Sequence, residues 1–166
     1  MFNISQTSLH IIEPENKITS AEELISQMQN LPPIKNNYNR CAYNYGEDFI
    51  TLPTINDFDS PSEYYSALFH EVIHSTGHSK RLNRILTNKD DEKYSEEELV
   101  AELGSAYLCA MCGISNSVLE NQAAYLQGWM KKISDDPNIL IRASLKARVA
   151  VEYLFGKKSD LAKIEP

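Results

Sequence analysis

Apolar residues recur every three to four positions in five stretches of the chain, and this spacing predicts five amphipathic helices. The predicted helices cover residues 19–30, 61–76, 95–113, 116–134 and 137–156. Between the first two, the segment RCAYNYGEDFITLP (residues 40–53) has two short runs of aromatic and β-branched residues on either side of Gly46. That pattern predicts a β-hairpin.

Capping signals set the bounds of the two longest predicted helices. Ser60 precedes the second helix as a cap and Gly77 is placed to end it. Ser95 and Glu98 form a capping box that places the start of the third helix at residue 95, and Gly113 ends it.

These elements indicate one mainly helical α+β domain over residues 19–156, with a small antiparallel hairpin ahead of the second helix. Residues 1–18 are polar and weakly patterned, and we expect a leading segment there. Residues 157–166 are expected to be a frayed tail. A length of 166 residues suits a single domain.

Composition narrows the class of protein. The content of 42% hydrophobic and 23% charged residues is typical of a globular protein. No apolar run approaches the roughly 18 residues of a membrane span, so we expect no membrane partner. No secretory or transit peptide is visible, and three cysteines do not suggest a disulfide framework, so we expect a cytoplasmic location. The net charge of −7 argues against DNA contact by this domain.

Two histidines and a glutamate share the middle of the second predicted helix, in the segment ALFHEVIHSTGH (residues 67–78). His70 and His74 are four residues apart, so they lie on one face and can bind one divalent ion. Glu71 lies about 100° further around the helix, where it can reach a water on the open side of that ion. We therefore predict that His70 and His74 are metal ligands and that Glu71 is a catalytic base. The alternative, a surface helix with incidental histidines, is disfavoured by the apolar residues on both sides of the pair.

The third ligand is less constrained. Glu102 lies deep in the third predicted helix among apolar and small residues, whereas the acids at 96–98 fall in its predicted first turn, where they serve the helix N-terminus. Glu102 is therefore the predicted ligand. His78 is the alternative, if Gly77 turns the chain back toward the metal. Glutamate-type zinc peptidases often have an aspartate four residues after the ligand, but here that position is Ala106.

The chain resembles the zincin-like metallopeptidase domain of ArdC-type antirestriction proteins, which also occurs in polyvalent proteins of mobile elements. The resemblance rests on FNISQT, YNYGEDFITLP, YYSALFHEVIHSTGHSKRLNR, EEELVAELGSAYLCAMCGI and AAYLQGW, in the family's order. It implies His70 and His74 as ligands, Glu71 as base and Glu102 as the third ligand. In fuller members a module that binds single-stranded DNA precedes FNISQT, so the resemblance leads us to expect the peptidase half alone here, without that module.

Two functions fit these observations. The first is a zinc-dependent peptidase of antirestriction type, with Mn²⁺ as another possible metal, acting on a peptide or protein. A peptide could then pair with the edge of DFITLP (residues 48–53). The second is a metal-stabilised interaction module without proteolysis. The sequence does not predict an oligomeric state or a further cofactor.

Overall fold

The computed structural model describes residues 18–84, 91–114 and 134–157. In these ranges the helices are α1 (Thr19–Gln27), α2 (Pro61–Thr76), α3 (Asp91–Met111) and α4 (Asn138–Leu154). The strands β1 (Ile34–Lys35), β2 (Ala42–Asn44) and β3 (Phe49–Thr51) lie between α1 and α2, followed by a short 3-10 helix, Ile55–Asp57. The predicted mainly helical α+β fold is confirmed. The predicted helix over 116–134 lies outside the described residues.

Helix α2 occupies the predicted residues because both of its end signals operate. The Ser60 hydroxyl accepts a hydrogen bond from the backbone N–H of Glu63 at 3.2 Å, which satisfies one of the amides left open at the start of a helix. At the other end, the Gly77 N–H bonds back to the carbonyl of His74 at 2.9 Å. One face of the helix is buried in the core through Tyr65, Phe69, Val72 and Ile73.

Helix α3 begins at Asp91, one turn before the predicted start at Ser95, so that prediction is wrong. The residues ahead of Ser95 are acidic or otherwise compatible with helix, and acids are favoured in a first turn. The helix therefore extends through the apparent capping box. Residues 96–98 consequently lie in the second turn, where Glu97 and Glu98 are each only 8% exposed. Gly113, with φ of 69°, follows the end of the helix as predicted.

The predicted hairpin is confirmed, because β2 and β3 pair antiparallel with Tyr43 opposite Ile50. The sheet also contains β1, which pairs parallel with β3, and the strand order is β1-β3-β2. Strand β3 is therefore central. The expectation that DFITLP offers an exposed edge is wrong, because β3 has a strand on each side. The sequence did not indicate β1, since a strand of only two residues leaves no periodic signal.

Helix α3 packs against both α2 and α4. Its contact with α2 is close because Gly104 lies directly beneath Ile73: a Cβ built on Gly104 would be 2.7 Å from Ile73 Cγ1. One residue later, the Ser105 hydroxyl donates to the backbone carbonyl of Ser66 at 2.9 Å. These contacts fix the spacing between the helix that carries the histidines and the helix that carries the acids. Within the described ranges, no helix is both long enough and apolar enough to span a membrane.

Candidate metal centre

The imidazoles of His70 and His74 face each other on adjacent turns of α2. Their Nε2 atoms are 3.0 Å apart, and the ring planes meet at 77°. Both side chains are mostly buried. Two nitrogen lone pairs therefore converge on one point beside the helix, as the four-residue spacing predicts.

Glu98 completes a set of three donors around that point. Its two carboxylate oxygens are 3.6 Å from Nε2 of His70 and 3.6 Å from Nε2 of His74. A tetrahedral ion with bonds of about 2.0–2.1 Å holds its ligand atoms about 3.3 Å apart. The three observed separations bracket this distance. Two neutral imidazoles and one carboxylate are also a donor set that zinc takes in catalytic sites, so the residues present fit a divalent metal.

Glu102 lies on the other side of the His70 ring. Its Oε1 is 3.5 Å from Nδ1 of His70, and it is not part of the group that converges on the two Nε2 atoms. The structure thus brings Glu98 to the position where the sequence predicted Glu102. Glu102 can hold the His70 ring through an Nδ1–H hydrogen bond, which orients a metal-binding histidine and sets its tautomer.

His74 has a corresponding partner on its own Nδ1. Glu97 Oε1 lies 3.4 Å from that nitrogen, and both carboxylate oxygens of Glu97 accept hydrogen bonds from Arg84, at 2.8 and 2.9 Å. Each histidine therefore has an acid behind it, and the two acids differ in their surroundings.

His78, the alternative third ligand, is used elsewhere. Its Nδ1 accepts a hydrogen bond from the backbone N–H of Lys80 at 3.1 Å, and its ring packs on Tyr45 with centroids 4.7 Å apart. It is 6% exposed. His78 thus closes the loop after α2 against the end of the hairpin and stands apart from the donor group.

Glu71 is held by the sheet. Its Oε2 accepts a hydrogen bond of 2.7 Å from the backbone N–H of Tyr43 in β2. Ile50, which lies opposite Tyr43, donates its backbone N–H to the Pro33 carbonyl on the β1 side. Tyr43 and Ile50 therefore form a non-hydrogen-bonded pair, and the N–H and C=O of Tyr43 point to the free side of the described sheet. Among the described residues, Oε1 of Glu71 has no hydrogen-bond partner.

Carboxylates crowd the imidazole pair. Burial lowers the pKa of His70, but Glu98, Glu102 and Glu71 together outweigh it, and the pKa is raised. Burial also raises the pKa of Glu102, and the charge on Glu98 adds to this shift against the opposing effect of the histidines. A divalent cation between the Nε2 atoms would offset this excess of negative charge.

Burial alone would likewise raise the pKa of Glu97, but the hydrogen bonds and charges of Arg84 and His74 outweigh it, so this pKa is lowered. Glu97 is therefore kept as a carboxylate that can accept the Nδ1 proton of His74. The acid behind His74 is neutralised by a guanidinium, whereas no guanidinium among the described residues pairs with the acid behind His70.

Comparison with known proteins places the chain in a family. The sequence model of a family described as zincin-like metallopeptidase matches residues 19–146. The chain belongs to this family. A protein named DNA primase TraC from Escherichia coli is 36% identical over 118 residues, which are 70% of this chain and 8% of the primase.

Two solved structures extend the likeness. Both are of the antirestriction protein ArdC from plasmid R388, one bound to Mn(II) and one metal-free. They are 31% identical to this chain, with TM-scores of 0.66 and 0.63, and the matches cover 89% and 86% of this chain. The chain spans about half the length of ArdC, 53% and 52% in the two structures, and a small part of the primase.

Sequence reasoning missed Glu97 and Glu98, and one signal could have pointed to Glu98. Glutamate-type zinc peptidases often have an aspartate four residues after the ligand, where it holds a metal histidine, and a glutamate can take the same part. Taking Glu102 as the ligand put Ala106 in that position. Taking Glu98 as the ligand puts Glu102 there, and both residues then have a role.

Proposed function

We propose that this domain is a metal-dependent peptidase in which His70, His74 and Glu98 hold the ion and Glu71 is the base. The observation that carries the proposal is the convergence of three donor groups within 4.8 Å of one another, beside a buried glutamate fixed by a strand amide. We assign the third ligand to Glu98 in place of Glu102, because only Glu98 approaches both Nε2 atoms.

We propose Zn²⁺ as the resident ion. Two histidines and a glutamate are the ligand set of one class of catalytic zinc sites. The similar ArdC protein has been solved with Mn(II), which supports Mn²⁺ as a second metal that this set can hold. When bound, such an ion supplies Lewis acidity, which makes a water acidic enough to attack at neutral pH and polarises a carbonyl.

The part of Glu71 is to move protons. Tyr43 fixes one of its oxygens, which leaves Oε1 to take a proton from the attacking water. The protonated carboxyl can then pass that proton to the amine that leaves as the peptide bond breaks. Because Glu71 is 9% exposed, bulk water competes little for either transfer.

A peptide or protein substrate would pair with β2. Its free side presents the Tyr43 carbonyl next to Glu71, so a strand added there would bring a peptide group to the candidate centre. A structure of the Glu71→Gln variant with a bound peptide tests this placement. Main-chain hydrogen bonds to residues 42–44 would support it, and a peptide bound away from β2 would contradict it.

For the biological role, we propose cleavage of a host protein during the entry of a mobile element, by analogy with the antirestriction protein ArdC. A cytoplasmic location and little DNA contact by this domain complete the proposal, and the net charge of −7 supports the second point.

Replacement of Glu71 by Gln tests catalysis separately from metal binding. The change keeps the shape of the side chain and removes its ability to take a proton, so peptide cleavage should fall about 10²–10⁴-fold while bound metal stays at the wild-type level. The exposed Glu47→Gln is the matched control and should cleave normally. If Glu71→Gln retains both metal and full activity in a restriction-protection assay, the domain works as a non-proteolytic interaction module.

A further inference from the structure

Arg84 joins the two helices that carry the candidate ligands. On the α3 side, its Nε and Nη2 atoms donate to the two oxygens of Glu97 at 2.9 and 2.8 Å. On the α2 side, Nη1 donates to the Thr76 hydroxyl at 2.8 Å and Nη2 to the carbonyl of Ile73 at 2.9 Å. A guanidinium is rigid and planar, so these bonds fix the position of one helix relative to the other.

Two of the bonded groups are immediate neighbours of the proposed ligands. Ile73 precedes His74 on α2, and Glu97 precedes Glu98 on α3. Glu97 also reaches the Nδ1 atom of His74 at 3.4 Å. A shift of Glu97 would therefore move a ligand on each helix: His74 through its Nδ1 partner, and Glu98 through the backbone.

The charges of Arg84 and Glu97 also link Arg84 to the candidate metal centre. Arg84 and Glu97 form a bidentate ion pair in which both side chains are nearly buried, at 11% and 10% exposure. Without the guanidinium, Glu97 would be a buried acid beside Glu98 and the imidazoles. Breaking such a pair leaves an uncompensated charge, which favours a rearrangement of the acid or its neighbours.

We propose that Arg84 is a positioning residue of the metal site: it sets metal affinity by fixing Glu97 on His74 and by holding Glu98 of α3 at the histidine pair. The inference rests on the proposed metal ligands and is independent of proteolysis, because it predicts a change in the metal dissociation constant. It also predicts that Arg84 acts through Glu97.

Metal titrations of the full chain test the proposal. Dissociation constants for Zn²⁺ and Mn²⁺ are measured by competition with a chromogenic chelator in wild type, Arg84→Met, Arg84→Lys, Glu97→Gln and the Arg84→Met/Glu97→Gln double variant. Loss of a partner behind a ligand typically weakens binding about 10–100-fold, and we expect this for Arg84→Met. Arg84→Lys keeps the charge without the bidentate geometry, so its dissociation constants should lie between those of wild type and Arg84→Met. The double variant should bind metal no more weakly than the weaker-binding of the two single variants.

Arg81→Met is the matched control. Arg81 is also nearly buried, but it bonds to Asp48, Asn30 and the Ser75 carbonyl, and within the described part of the chain it has no bond to α3. It should leave the dissociation constants unchanged. Arg84 borders a cleft of about 460 Å³ at the surface, so a methionine can be accommodated there. Thermal unfolding of the metal-free variants identifies any that fail to fold, and the visible spectrum of bound Co²⁺ reports the geometry of the ligands.

The outcomes separate this proposal from the peptidase. A folded Arg84→Met or Arg84→Lys variant with the wild-type dissociation constants and Co²⁺ spectrum would overturn the role of Arg84, as would fully additive losses in the double variant. A wild-type protein that binds metal with Arg84-dependent affinity but cleaves no peptide would overturn only the proteolytic function. Absence of Zn²⁺ and Mn²⁺ binding in the wild type would overturn both.

Discussion

Glu98 and Glu102, one turn apart on α3, lie at opposite nitrogens of His70. Glu98 Oε2 is 3.6 Å from Nε2, and Glu102 Oε1 is 3.5 Å from Nδ1. A proton on Nδ1 can be directed at Glu102, which would leave the lone pair of Nε2 for an ion at the point that Glu98 shares with His74. We therefore assign the two acids unequal parts in the proposed metal site.

Alanine at these two positions should give different losses of metal affinity. Glu102→Ala removes a partner behind a ligand and should weaken Zn²⁺ binding about 10–100-fold. Glu98→Ala removes a ligand and should weaken it by at least a further order of magnitude. Competition titrations give both dissociation constants. The reverse ranking would restore Glu102 as the ligand and assign Glu98 the supporting part.

The four described helices and the hairpin were predictable because they rest on local signals. Ser60 and the apolar spacing of α2 specify that helix without help from the rest of the chain, and the aromatic runs around Gly46 specify the hairpin. Strand β1 depends on its parallel pairing with β3, which is distant in the sequence. Two residues carry no periodicity, so no sequence pattern could indicate it.

The histidine pair was predictable for the same reason, since a spacing of four within one helix fixes a shared face. The third donor comes from another helix, and its identity depends on where that helix begins. A start at Ser95 places Glu98 in the first turn, whereas the observed start at Asp91 places it one turn deeper and facing α2. The apparent capping box at Ser95 therefore led the sequence prediction to Glu102 and away from Glu98.

Replacement of Gly104 by Ala tests the close approach of α3 to α2. Alanine favours helix over glycine by about 1 kcal/mol, but the new Cβ would lie 2.7 Å from Cγ1 of the buried Ile73. Overpacking of this kind costs about 1–3 kcal/mol, so the variant should be less stable in urea unfolding. It should also bind Zn²⁺ more weakly, because the clash pushes Glu98 away from α2.

An Ile73→Ala change in the same chain provides the control for this steric argument. It removes the three atoms nearest to the new Cβ, so the double variant should be less destabilised than the sum of the two single changes. Additive losses, or a Gly104→Ala variant more stable than wild type, would show that the helices separate without cost at this point.

Replacement of His78 by Asn tests whether the third histidine of the motif segment binds metal. Asparagine retains a side-chain acceptor for the Lys80 N–H but loses the ring that packs on Tyr45. We expect unchanged Zn²⁺ affinity and a loss of stability of about 0.5–1.5 kcal/mol, the size of an aromatic contact. His74→Asn, measured alongside, should lose metal. Loss of metal affinity in His78→Asn comparable to that in His74→Asn would make His78 a ligand.

The bond between Asp48 and Arg81 should make the attachment of the hairpin depend on pH. Two guanidinium nitrogens of Arg81 donate to Asp48 Oδ1 at 2.8 Å, and the Tyr43 hydroxyl donates to the same oxygen. Burial raises the pKa of Asp48, but these hydrogen bonds and the positive charge of Arg81 outweigh it and hold the pKa below its usual value. The folded protein therefore binds the proton less readily than the unfolded chain does.

The resulting stabilisation is complete above the unfolded pKa of about 3.9 and is lost as pH falls through the lower folded pKa. Asp48→Asn removes the charge and keeps a short polar residue that tolerates the φ of 55° at this position. The variant should be less stable than wild type by about 1 kcal/mol at neutral pH, since solvent screens the pair in part. Urea unfolding at several pH values should show this difference shrinking below about pH 4. A difference that persists undiminished at pH 2 would mean that the charge of Asp48 does not stabilise the hairpin.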